Sequence, residues 1–190
     1  MLTFVSITHS SDTSGGIDQS IGGAMNIEIG GGPSPRHPEY IQVDVVKHVP
    51  TSYVCPAWAL PFSKDSAHHI YSRHMLEHLD RKQAVAAVRE WYRILRIGGR
   101  AEVIVPDLAY HAKQLLDPDG FSDRMHGMSN YQHAMGGFYG WDTGPMQHQW
   151  GYTLSTLLAL FDSNGFIAKS LTSKAEVGDL WVVAEKNGRR

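Results

Sequence analysis

Between Gly30 and Pro38 the chain places three glycines and three prolines in nine residues, and this stretch limits the fold more than any other. It follows Met25-Asn26-Ile27-Glu28-Ile29, a short apolar strand candidate. It precedes Tyr40-Ile41-Gln42-Val43-Asp44-Val45, a second strand candidate rich in β-branched residues. Pro33, Pro35 and Pro38 each lack an amide N–H and restrict the residue before them, so no regular helix fits between the two strands. A parallel pair normally needs a helical crossover. Here the first crossover is short and its helix is short or missing.

The rest of the chain alternates more conventionally. Ser52–Cys55 and His68–Ser72 are strand candidates. Between Arg81 and Leu95, apolar residues recur at steps of three and four, as in an amphipathic helix. Asp80 is a suitable N-cap for it and Gly98-Gly99 a suitable stop. Arg100–Val105 reads as a strand ended by Pro106, and Leu108–Leu116 as a short helix. Residues 117–152 show no clean period. Thr153 then caps a helix reaching Phe161, and two strands, Phe166–Leu171 and Asp179–Ala184, close the chain. This alternation predicts an α/β fold: a mostly parallel, Rossmann-like sheet of about seven strands with an antiparallel last strand and helices on both faces. Residues 1–24, Ser/Thr/Gly-rich after a short apolar start, read as a flexible arm, and 25–190 as a single domain with an insert at about 117–152.

Composition excludes several classes. A chain of 190 residues that is 42% hydrophobic and 19% charged can bury a core. A net charge of −2 gives no general affinity for nucleic acid or anionic membranes. The lone Cys55 excludes an internal disulfide and suits a reducing compartment. With no apolar run near 20 residues and no leader-like start, a cytoplasmic protein is expected.

The glycine turn also suggests chemistry. Backbone without a Cβ turns tightly and lets a ligand approach its amides, and Asp44, ending the second strand, can accept from a ribose diol. Together these fit adenosine recognition. A dinucleotide would want G-x-G-x-x-G opening a helix to hold its pyrophosphate. Prolines occupy that place, and no P-loop follows, so a cofactor without phosphates fits better.

In these segments the sequence resembles the class I S-adenosylmethionine-dependent methyltransferases, especially small bacterial methyltransferase-domain proteins. The likeness runs from about Asn26 to Glu185. It rests on Asn26–Gly32, Val43-Asp44-Val45, Leu60-Pro61-Phe62, Ser72–Leu79, Arg93–Arg100, Val105-Pro106-Asp107-Leu108 and His148–Phe166. The resemblance implies S-adenosylmethionine as cofactor. It implies a cofactor site at Glu28, Gly30, Gly31 and Gly32, with the backbone at Gly30 and Gly32 along the methionine part and Glu28 behind it, and that Asp44 holds the ribose. Ala57 and Trp58 would border the adenine, with Ser72, Arg73 and His74 flanking the sulfonium and its amino-acid tail. The chain departs from the family in one further way: Cys55-Pro56-Ala57 stands where members often carry an acid for the adenine amino group.

His74 and His78 stand four apart with Glu77 between, which on a helix is a metal-ligand spacing. The order is not His-Glu-x-x-His and no third ligand is evident, so no metal is expected. The insert carries His126, His133 and His148 among aromatics and methionines, and a long irregular segment above the strand ends suits a substrate lid. Methyl transfer needs alignment above all, and a base only where the acceptor must lose a proton. His78, His133 and His148 are the candidates. The expected function is methyl transfer to a small-molecule acceptor. The competing possibility is a non-catalytic relative that binds the cofactor or a partner protein.

Overall fold

The computed structural model describes residues 25–120, 127–141, 147–174 and 178–188. The arm expected at 1–24 lies outside the described residues. Seven strands form one sheet in the order β3-β2-β1-β4-β5-β7-β6. They are β1 (Met25–Ile29), β2 (Ile41–Asp44), β3 (Tyr53–Val54), β4 (Ala67–Arg73), β5 (Leu95–Pro106), β6 (Phe166–Lys174) and β7 (Asp179–Lys186). The first five are parallel, while β7 runs antiparallel to both β5 and β6. The order turns between β1 and β4, so the carboxyl ends of these two strands flank the crevice where such sheets take ligands.

Four helices are described: α1 (Arg81–Ile94), α2 (Leu108–Gln114), α3 (Asn130–Tyr139) and α4 (Leu154–Asp162). None is long and apolar enough to cross a membrane. Asp80 caps α1 through the amides of Lys82 and Gln83, and Gln83 returns the bond to the Asp80 amide. α1 ends one residue earlier than its periodicity predicts, because Leu95 already pairs with Ala67 as β5 begins. Gly98 and Gly99 thus lie inside β5. α1 and α4 touch each other and cover one face of the sheet. Their Trp91, Val88, Leu157 and Phe161 close over Ile27, Ile70, Val103 and Val182 in a continuous core.

The proline loop lies over part of the other face, on Tyr71 and His69 of β4. Glu28, buried on β1, accepts the amides of Arg36 (2.9 Å) and His37 (2.7 Å). Gln42 on β2 donates Nε2 to the carbonyls of His37 and Tyr40. Two polar side chains thereby satisfy loop groups that a helix would have satisfied internally. The loop lays His37 against Tyr40 and the edge of Tyr71, and the Tyr40 hydroxyl meets His69 Nδ1 at 3.1 Å.

Within the insert, Asn130–Tyr139 form a helix that the sequence did not announce. Ser129 and Gln132 form a capping box that starts α3. A Cβ at Gly136 would enter the Trp141 ring, and one at Gly137 the His111 ring. These glycines let α3 pack closely; they are not hinges.

Candidate active site

The first half of the site sits where β1 and β2 end. Gly30 leaves β1 with φ +76°, and its amide bonds Val43 O at 2.8 Å. Two residues on, Gly32 has φ +60° and donates its amide to Asp44 Oδ2 at 3.1 Å. Asp44 Oδ1 accepts from Val46 N at 2.9 Å. The carboxylate is fixed in place by backbone donors, and each oxygen still has a lone pair for a diol. Space opens beside Gly32, where a Cβ would meet nothing within 4 Å among the described atoms.

The other glycines differ. Gly31 turns inward, with a Cβ position about 3 Å from Gln42, Pro35 and Glu28. Glu28 has both oxygens engaged by the loop and acts as its anchor. Both residues hold the loop from behind. Ala57 is buried and its carbonyl accepts the Trp91 indole N–H at 3.1 Å, while Trp58 packs half-buried on the core. Both follow β3 on the Asp44 side, where Cys55 N bonds Asp44 O at 3.0 Å.

The second half forms at the end of β4. Ile29 and Ser72 are in register, which brings Ser72, Arg73 and His74 beside the glycine turn. Met75 seals the joint, since its side chain fills the space a Gly30 Cβ would need. The Ser72 hydroxyl is buried with no partner. His74 takes a left-handed conformation, φ +49°. His74 and His78 therefore share no helical face, because the short 3-10 turn Leu76–His78 begins only afterwards. His74 Nδ1 lies 3.2 Å from Glu77 Oε1 and its Nε2 3.5 Å from Asp179 Oδ2. Burial alone would lower its pKa, but bonds to Asp179 and Glu77 outweigh that and raise it to about 9.

His78 instead meets His148, with ring centroids 5.0 Å apart. Residues 147–150 reach this point because the amides of Gln149 and Trp150 both bond Glu77 O. Burial lowers the His148 pKa against the opposing pull of Glu77. His133 lies in a separate network: Gln114 Nε2 reaches its Nδ1 at 2.9 Å, and Trp141 stacks on its ring. The three candidate bases thus resolve into one pair at the strand ends and one packing histidine. Sequence reasoning did not single out Met75, Asp179 or Tyr152. The buried Tyr152 hydroxyl has no partner, and burial, then Glu77, pushes its pKa up. Proximity in the fold is their common signal, and local sequence carries none of it.

A family model of the methyltransferase domain matches residues 36–103, which include Asp44 and β4 through its exit turn. The matched stretch runs from the proline loop through β2, β3 and β4 into β5. Over this stretch the chain is similar to the methyltransferase domain, and its fold is that of S-adenosylmethionine-dependent methyltransferases. No curated protein sequence matches it significantly. Solved structures share this methyltransferase fold over most of the chain. A Methanosarcina mazei S-adenosylmethionine-dependent methyltransferase is 14% identical with a TM-score of 0.58, covering 85% of this chain and 92% of that one. A Mesorhizobium loti S-adenosylmethionine-dependent methyltransferase is 15% identical with a TM-score of 0.56, covering 86% and 91%. The 1,6-didemethyltoxoflavin-N1-methyltransferase of Burkholderia thailandensis, solved with 1,6-didemethyltoxoflavin and S-adenosylhomocysteine, is 13% identical with a TM-score of 0.57, covering 87% and 72%. At these identities the likeness is one of fold.

Proposed function

We propose that this chain transfers the methyl group of S-adenosylmethionine to a small-molecule acceptor in the cytoplasm. The observation that carries the reading is the opposition of Gly32 and Asp44 across open space at the carboxyl ends of β1 and β2. The cofactor, when bound, supplies an electrophilic methyl on a sulfonium. Asp44 would accept from the ribose hydroxyls, and the backbone at Gly30 and Gly32 would line the methionine part. Ala57 and Trp58 would border adenine by apolar contact. The unpartnered Ser72 hydroxyl, with Arg73 and His74, would face the amino-acid tail. The small-molecule preference is supported by the insert. It offers a hollow of about 340 Å³ walled by Met128, Tyr131, Met135, Tyr139 and Trp141, an adaptable apolar surface. The lone cysteine fits the cytoplasm.

Asp44→Ala removes an acceptor of charge-assisted bonds and is expected to weaken S-adenosylhomocysteine binding by about 1.5–3 kcal/mol, roughly 10–150-fold. Calorimetry on the folded variant measures this, and unchanged affinity would refute the ribose assignment. Turnover is tested by S-adenosylhomocysteine release across a panel of acceptors. Tight cofactor binding with no release from any acceptor would favour a non-catalytic relative.

We further infer that the insert closes over the cofactor. Its return, residues 147–150, is tied to the turn after β4 through Glu77 O. Amide hydrogen exchange is expected to slow at Gln149 and Trp150, as well as at 28–32 and 44, when S-adenosylhomocysteine is added. Slowing confined to 28–32 and 44 would leave the insert a fixed cap.

A further inference from the structure

We propose that Glu77, His78 and His148 form a binding site for a divalent metal ion of the zinc type. One ligand atom from each residue can be chosen so that all three lie within 4.8 Å of one another. Two imidazoles and a carboxylate are the ligand set of an open zinc site, which keeps a further position for water or substrate. Zinc bonds of about 2.0–2.2 Å require ligand atoms about 3.3 Å apart, so each need move inward by about an ångström. Small side-chain rotations supply that.

Three observations show that the groups are prepared for a cation. Each histidine has its Nδ1 beside a backbone carbonyl, His78 at 3.3 Å from Gln147 O and His148 at 3.0 Å from Gly137 O. A carbonyl can only accept, so Nδ1 carries the proton and Nε2 keeps its lone pair. Metal-bound histidines are oriented in this way. Glu77 is 1% exposed, and its Oε2 has no hydrogen-bond partner. A buried carboxylate oxygen left unpaired is costly, and a cation removes that cost. Its other oxygen, Oε1, is held by His74 Nδ1 at 3.2 Å, as the outer shell of a ligating carboxylate usually is.

The fold explains why local sequence hides the set. Glu77 and His78 are adjacent in the turn after β4, whereas His148 arrives from beyond β5 on the segment bonded to Glu77 O. The ion would pin that segment to the sheet end and leave a coordination position beside the β4 exit. The site does not depend on the methyl-transfer reading, because its test requires neither cofactor nor acceptor.

The full chain, stripped with chelator and dialysed, is titrated with zinc chloride by calorimetry. One site per chain with a dissociation constant at or below the micromolar range is expected, together with a raised melting temperature. His78→Ala, His148→Ala and Glu77→Gln should each weaken binding at least tenfold, while His37→Ala, in the proline loop and outside the set, should not. Cobalt substitution gives a second readout. Visible d–d bands should appear with wild type and vanish with His148→Ala, and circular dichroism confirms that the apo variant is folded. If His148→Ala does not fold, His78→Ala carries the same comparison. No saturable zinc binding, or binding of equal strength in the folded His78→Ala and Glu77→Gln variants, overturns the proposal.

Discussion

Replacing Lys186 by methionine is expected to destabilise the protein by roughly 3 kcal/mol, the largest loss from a residue remote from the site. Lys186 ends β7 and is 5% exposed, an unusual place for an ammonium. Its Nζ donates to Tyr92 O and Leu95 O at 2.7 Å each and to Asp65 Oδ1 at 2.6 Å, and lies 4.7 Å from the Tyr92 ring centroid. The two carbonyls belong to the last turn of α1 and the first residue of β5, where the chain changes from helix to strand without a loop. A helix C-terminus favours a cation. Methionine keeps the stem's volume but offers no donor, so two carbonyls lose a charged donor, at about 1–3 kcal/mol each before any relaxation. Urea unfolding should show a lower midpoint at unchanged slope. Asp65→Asn is the control. Asp65 is 44% exposed at the side chain and sits at φ +58°, which asparagine tolerates, so its loss should cost much less. Equal effects would mean the ion pair, not the carbonyl bonds, holds the corner.

Lys186 also marks the limit of what local sequence tells. Every strand was legible because apolar, β-branched runs bounded by Gly, Pro or Asp have few alternatives, and β1 matches its expected bounds, Met25–Ile29, at both ends. α1 was legible from its 3.6-residue period and its Asp80 cap. α3 was not, because glycines at 136 and 137 and histidine at 133 are poor helix formers. That helix depends on what it packs against, the rings of His111 and Trp141. Its capping box, Ser129 with Gln132, and the apolar Tyr131, Ala134, Met135 and Phe138 are in the sequence, but the paired glycines interrupt the pattern.

In the site, the type of residue was legible and its direction was not. Glycines at 30, 31 and 32 look alike in sequence, yet one packs on Met75, one on Gln42 and Glu28, and one faces open space. Glu28 anchors the loop because the crossover beside it lacks a helix. With no helical ladder, the loop amides need an acceptor, and the nearest buried carboxylate takes them. The His74/His78 spacing failed for a backbone reason. A left-handed residue at 74 reverses the chain before the turn, so the pair never shares a helical face.

That division among the glycines leads to the largest functional effect expected, the loss of cofactor binding in Gly32→Val with the fold retained. At φ +60° an L-residue with a Cβ costs about 1–2 kcal/mol, and a β-branched one more. Nothing described within 4 Å opposes the new side chain, so the fold itself need not shift. The loop can relieve strain by leaving the left-handed region, but the Gly32 amide then releases Asp44 Oδ2, and the acid loses one of its two backbone donors. Staying put leaves the isopropyl group in the space the cofactor would fill. Either course removes binding, and a loss of more than a hundredfold, about 2.7 kcal/mol, is expected by calorimetry with S-adenosylhomocysteine. Gly32→Asn, which tolerates positive φ, should lose less. Gly30→Val gives the opposite pattern. Its Cβ would overlap Met75, so destabilisation should accompany any loss of binding, and its melting temperature should fall well below that of Gly32→Val. If Gly32→Val bound normally while Gly30→Val unfolded, the turn would be a structural corner and the crevice beside Asp44 would not hold the cofactor.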